Sequence, residues 1–184
     1  MAIFKTQWVI LQVWKYSENQ LYYKIFFRDY GILTVAKRKK AKEKPVDIGY
    51  LINCEVITKE KNSVHTVGNI KIISYFETQN TPYSHIESFL KLLWYIKKNL
   101  PDGSPHPEIF DILMRYIPLT KTWKEQTHIL THLKIMCCVW ELWETHNNQM
   151  TTKILKFIHN TKHSDILRLW AIPEENIKHL EQLL

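Results

Sequence analysis

From Thr6 to Phe76 apolar residues recur at the two-residue spacing of strands, interrupted by short polar turns. Trp8, Ile10, Trp14 and Tyr16 alternate with Val9, Leu11 and Val13, so the first predicted strand is apolar on both faces and has to be covered on both. Ser17-Glu18-Asn19 makes a turn, and Gln20 to Arg28 a second strand rich in aromatic and β-branched residues. Its two faces differ: Leu21, Tyr23, Ile25 and Phe27 form one, Tyr22, Lys24, Phe26 and Arg28 the other. Asp29-Tyr30-Gly31 supplies the next turn, with Gly31 free to take the positive φ of a tight hairpin. Ile32 to Ala36 follows as a third strand, and Ile48 to Thr58 and Val64 to Ile73 pair across Lys59-Glu60-Lys61-Asn62-Ser63. Five strands with a long excursion between the third and fourth suit a small closed barrel of the oligonucleotide-binding type. A five-stranded SH3-like barrel fits the same pattern almost as well.

After Phe76 the period becomes helical. Ser84-His85-Ile86-Glu87 has the form of a capping box, with Ile86, Phe89, Leu90, Leu93 and Lys97 behind it up to Leu100-Pro101-Asp102-Gly103. A second helix starts near Ser104-Pro105 and carries Ile109, Ile112, Leu113 and Tyr116. The third is capped by Thr122-Trp123-Lys124-Glu125 and buries Ile129, Leu133, Met136, Cys137, Trp140 and Trp143, the central helix of the half. Thr151 to Ile158, Ser164 to Trp170 and Pro173 to Leu184 are three shorter helices. The expected fold class is α+β, an oligonucleotide-binding-type barrel over residues 1–76 followed by an all-α domain over 77–184. No Gly/Ser linker separates the two, which predicts that they pack together.

Charge sharpens this picture. Through Phe76 the chain has 13 Lys and Arg against 6 Asp and Glu, a surplus equal to the +7 of all 184 residues. The remainder is neutral, with 12 of each. A positive field confined to one module suits a polyanion, since each neutralised phosphate releases condensed counterions. Six of the cations crowd into Lys37, Arg38, Lys39, Lys40, Lys42 and Lys44, interrupted only by Ala41 and Glu43. Mobile lysines there need no exact geometry to line a phosphate backbone. The mixed face of the second strand adds Lys24 and Arg28 as DNA contacts, with Tyr22 and Phe26 as candidates for base stacking. The ordinary alternative is that these aromatics fill a barrel and the lysines face water.

Other chemistry is thin. Gly-rich phosphate loops, nucleophile elbows and paired carboxylates are missing from the sequence, so neither catalysis nor a cofactor is expected. His128 and His132 share a helix face but lack the glutamate of a zinc protease motif, and no metal is expected. The five tryptophans of the helical half suit protein contacts as well as a core. Cys54, Cys137 and Cys138 are odd in number and do not describe a disulfide framework. No run reaches a membrane span and no signal peptide opens the chain, so a cytoplasmic protein is expected.

The first strand near Val9-Ile10-Leu11, the string Arg28-Asp29-Tyr30-Gly31-Ile32-Leu33-Thr34-Val35-Ala36-Lys37, the basic loop behind it and the strand pair ending at Tyr75-Phe76 together resemble the RecO family of bacterial recombination mediators. Architecture extends the likeness to nearly the whole chain, while the wording of the motifs is confined to the barrel. The resemblance implies an oligonucleotide-binding barrel with a helical domain behind it. It also implies binding of single- and double-stranded DNA, annealing of complementary strands, and contact with single-strand-binding protein. A RecR-type partner would help load the recombinase in DNA repair. Arg38 stands where the family usually has glycine, which implies a different start to the loop, and Glu144 to Leu184 lacks the zinc-binding cysteines of many members, which with the short chain implies a trimmed variant. A protein-interaction scaffold and an RNA-binding factor are the competing readings.

Overall fold

The computed structural model describes residues 2–38, 45–58, 64–76, 78–79, 81–119, 125–140 and 149–166. Five strands among them, β1 (Ala2–Ser17), β2 (Gln20–Phe27), β3 (Gly31–Arg38), β4 (Leu51–Thr58) and β5 (His65–Ser74), precede the helices. These are α1 (Tyr83–Asn99), α2 (Pro107–Leu119), α3 (Glu125–Trp140), α4 (Gln149–Asn160) and α5 (His163–Ile166). The chain divides into two compact units, Met1–Pro118 and Leu119–Leu184. The change from strand to helix after Phe76 therefore lies inside the first unit, which takes in α1 and nearly all of α2.

The strands form a closed barrel in the order β1-β2-β3-β5-β4. The long β1 makes the closure: Ala2 to Val9 pair with β4, and Trp8 to Ser17 pair with β2. All pairings are antiparallel except a short parallel seam, Val35 opposite His65 and Ala36 opposite Thr66. Inside lie Trp8, Ile10, Tyr23, Ile25, Phe27, Val35, Ile52, Cys54 and Val56, with Val46 packed among them. Each large side chain so enclosed contributes about 1.5–3 kcal/mol.

Where β1 meets β2 at Val9 and Phe26 both faces are covered, as the composition demands. The row Val9, Phe26, Ile32 points out of the barrel yet is wholly buried. Phe110 of α2 meets Phe26 edge-on, with ring centroids 5.7 Å apart. The backbone N–H of Gly103 donates to the carbonyl of Ile32 at 3.0 Å, tying the α1–α2 connection to β3. Gly31 makes this approach possible: its φ is +68°, and a Cβ there would stand 2.0 Å from the carbonyl oxygen of Ser104.

Several elements differ from the sequence expectation. β3 runs on to Arg38, because its backbone continues to pair with Leu21 and Gln20 of β2. Lys37 and Arg38 are therefore strand residues. β4 begins at Leu51, since Asp47 to Tyr50 form a turn in which the carboxylate of Asp47 accepts from the N–H of Ile48. α1 starts two residues earlier than the capping box implied, with Pro82 rather than Ser84 at its N-cap and no side-chain cap. It buries Phe89, Leu92, Leu93 and Ile96, while Leu90 faces out.

In the second unit Ile129, Leu130, Leu133 and Cys137 of α3 pack with Leu155, Ile158 and Ile166. α3 also buries His128, Thr131, His132 and Lys134, so its described residues are enclosed nearly all round. The expected cap at Thr122–Lys124, Trp143, most of the helix expected over Ser164 to Trp170, and that over Pro173 to Leu184 lie outside the described residues. No helix among the described residues is long and apolar enough to cross a membrane.

Candidate nucleic-acid interface

The outer face of β2 carries Tyr22, Lys24, Phe26 and Arg28, because Tyr23, Ile25 and Phe27 are turned into the barrel. α2 and the α1–α2 connection claim three of these four. Phe26 is fully buried beneath Phe110 and is withdrawn from any base, which corrects its assignment as a stacking residue. Lys24 Nζ lies 3.0 Å from a carboxylate oxygen of Asp102. Arg28 donates from Nε at 3.0 Å and from Nη2 at 3.3 Å to the two carboxylate oxygens of Asp111 on α2, and its Nη1 reaches Asp29. The hydrogen bond and charge of Asp111 raise an already high pKa further, so the guanidinium is a fixed cation with a bound counter-charge.

Tyr22 sits at the other end of the strand, toward the β1–β2 turn. Its ring stacks on Trp14 of β1, with centroids 5.7 Å apart and planes inclined by 14°. A bulge explains why Trp14 is outside. Register slips between Ile10 and Gln12, so that even-numbered residues face inward before Leu11 and Val13 takes the inward place after it. A strict alternation places Trp14 on the same side as Trp8 and Ile10. Only the register of β2 against β1 reveals the change.

Cations gather at this same end. Lys15 is exposed on β1, and Arg38 is exposed where β3 ends beside Gln20. Lys37 is buried at the barrel mouth, and its charge opposes the effect of burial on the nearby Cys54 thiol. Burial prevails there and pushes the thiol up to about 12. A hollow of about 390 Å³ opens among Ser17, Asn19, Gln20, Lys37, Arg38 and Thr66. Lys39, Lys40, Lys42 and Lys44 lie outside the described residues, and the chain enters that segment from Arg38.

A larger hollow, about 550 Å³, lies between the Asp47–Tyr50 turn, the end of β5 and α1. It is a poor seat for phosphate: its lining holds Asp47 and no lysine or arginine. In the second unit the His128 and His132 rings are 5.6 Å apart. No group of three metal-binding side chains occurs among the described residues.

No family model matches the sequence, and a search of curated proteins finds no relative.

Proposed function

We propose that this is a single-strand nucleic-acid-binding protein built on an oligonucleotide-binding-type barrel. The strand order, with one parallel seam between β3 and β5, supports that barrel type. Barrels of that type hold oligonucleotides on the β2–β3 face and between the β1–β2 and β4–β5 loops. The single observation that carries the reading is the meeting, at one barrel end, of the Trp14–Tyr22 stack with exposed Lys15 and Arg38. From there the chain enters its densest basic run. Aromatic rings supply a sequence-tolerant platform, and the cations follow a phosphate backbone around it. Lys24, Arg28 and Phe26 serve the barrel–helix contact in this reading, and Lys37, expected to meet DNA, is instead buried at the barrel mouth, leaving Tyr22, Arg38 and the lysines beyond as the interface.

Within that class, the protein is a DNA recombination mediator of the RecO type. Its role is to bind single- and double-stranded DNA, anneal complementary strands and assist recombinase loading in repair, in the cytoplasm, with single-strand-binding protein and a RecR-type partner. Annealing requires no bond chemistry, only a surface that neutralises two backbones at once, and the role is accordingly non-catalytic. The test is annealing of complementary oligonucleotides coated with single-strand-binding protein. The intact chain accelerates annealing, and a variant neutralised from Lys37 to Lys44 does not. Equal acceleration by both refutes the placement, and preference for an RNA competitor redirects the role to RNA.

A further inference from the structure

We infer that the nucleic-acid track does not stop at the barrel but continues onto the outer face of α1, where a single strand stacks on Trp94. The inference rests on the nucleic-acid reading of the barrel and extends it to a second element. Trp94 is 52% exposed although α1 buries its opposite face through Phe89, Leu92, Leu93 and Ile96. Lys98 holds its ammonium 4.7 Å from the Trp94 ring centroid, an arrangement ready to meet phosphate beside a stacked base. Lys91 stands one turn back, paired with Glu87 at 3.0 Å. The last turn of α1 is basic, with Lys97 and Lys98 together.

Continuity with the barrel is direct. Lys97, three residues beyond Trp94, donates from Nζ to Oε1 of Gln12 at 3.2 Å. Gln12 lies opposite Lys24 and two residues before Trp14 on the same side of β1, a separation of about 7 Å along the strand. Residues three apart on a helix are about 5–6 Å apart, so Trp94 adjoins Lys97 on the other side. The path from the Trp14–Tyr22 stack through Gln12 and Lys97 to Trp94 thus has rings at both ends and a cation between them. That composition fits a polyanion with stackable bases. A purely apolar partner would leave the charges of Lys97 and Lys98 uncompensated, since among the described residues only Lys91 of these three lysines has a carboxylate, Glu87, beside it.

Oligothymidylates of about 4 and about 20 nucleotides separate the barrel from the extended track, since a barrel of this kind covers between roughly 4 and 16 nucleotides and the shortest strand is filled by the barrel site alone. Affinities are measured by fluorescence anisotropy for the intact chain, Trp94→Ala and Trp94→Phe. The intact chain and Trp94→Ala bind the short strand equally. Trp94→Ala binds the long strand about 10-fold more weakly, and Trp94→Phe recovers most of the loss. The statistical gain from extra binding registers is shared by all three proteins, so their ratio on one strand reads the α1 contact. Because Trp94 is half exposed, its thermal midpoint controls for folding. Equal affinity of the intact chain and Trp94→Ala for the long strand, with the short strand still bound, overturns the α1 track alone. No binding of either strand by the intact chain overturns the barrel reading and the track with it. Trp94-dependent binding of an acidic, phenylalanine-containing decapeptide, with long-strand affinity unchanged, assigns the face to a protein partner and also overturns the track.

Discussion

Replacing Gly31 by alanine is expected to loosen the barrel from its helices, and the cost follows from two separable causes. An L-residue at φ +68° costs about 1–2 kcal/mol relative to glycine. The new Cβ would sit 2.0 Å from the Ser104 carbonyl, so the connection between α1 and α2 has to retreat. Such overpacking costs about 1–3 kcal/mol. Retreat also strains the Gly103 to Ile32 hydrogen bond, worth about 1 kcal/mol net. The unfolded chain loses entropy on gaining a methyl group, which offsets about 0.4–1 kcal/mol. The net loss is about 3–5 kcal/mol. Gly103 provides the control: its φ is +76°, but a Cβ there meets nothing within 4 Å. Gly103→Ala incurs the backbone cost alone, about 1 kcal/mol after the same offset. Urea unfolding of both variants yields the difference, expected at about 2–4 kcal/mol. Equal destabilisation refutes the close seating of the α1–α2 connection on the β2–β3 turn.

Three further outcomes follow from the same geometry. Trp14→Ala and Tyr22→Ala each weaken binding of a short oligothymidylate by about 1–3 kcal/mol in a fluorescence titration, and an unchanged affinity removes the stack from the interface. Arg28→Ala leaves the slope of log affinity against log salt unaltered, because Asp111 already neutralises the guanidinium; a shallower slope returns Arg28 to the phosphate path. Cys54 and Cys137 are both pushed by burial from 9.0 up to about 12, so their folded thiols stay protonated while unfolded ones ionise. Their contribution is complete below pH 9.0 and is lost as pH rises toward about 12. The slope is about 1.4 kcal/mol per pH unit for each thiol. Urea midpoints at pH 8 and 10 check it, with Cys54→Ala and Cys137→Ala together reducing the decline; an undiminished decline refutes the thiol origin.

Much of the barrel was legible in the chain because strand burial has period two and both turns flanking β2 are marked by polar residues or glycine. The inward face of β2 followed from Tyr23, Ile25 and Phe27 alone. Its outward face did not, since nothing near Phe26, Lys24 or Arg28 announces Phe110, Asp102 and Asp111, which lie far along the chain. A local pattern shows that a residue leaves the barrel, not what awaits it there. Trp14 escaped for a different reason: the slip at Leu11 inverts the alternation and is set by backbone pairing rather than by residue type. Similarly, Lys37 and Arg38 belong to β3 because Leu21 and Gln20 extend the ladder beside them, which a run of basic residues conceals.

The salt dependence of binding to a single-stranded oligonucleotide tests the interface most directly. Affinity of the intact chain is expected to fall steeply with salt. Neutralising the six cations between Lys37 and Lys44 should flatten the slope by up to about 4, at about 0.7 per phosphate contact. A slope that is identical in the two proteins contradicts that interface, because the cations at that barrel end would then displace no counterions.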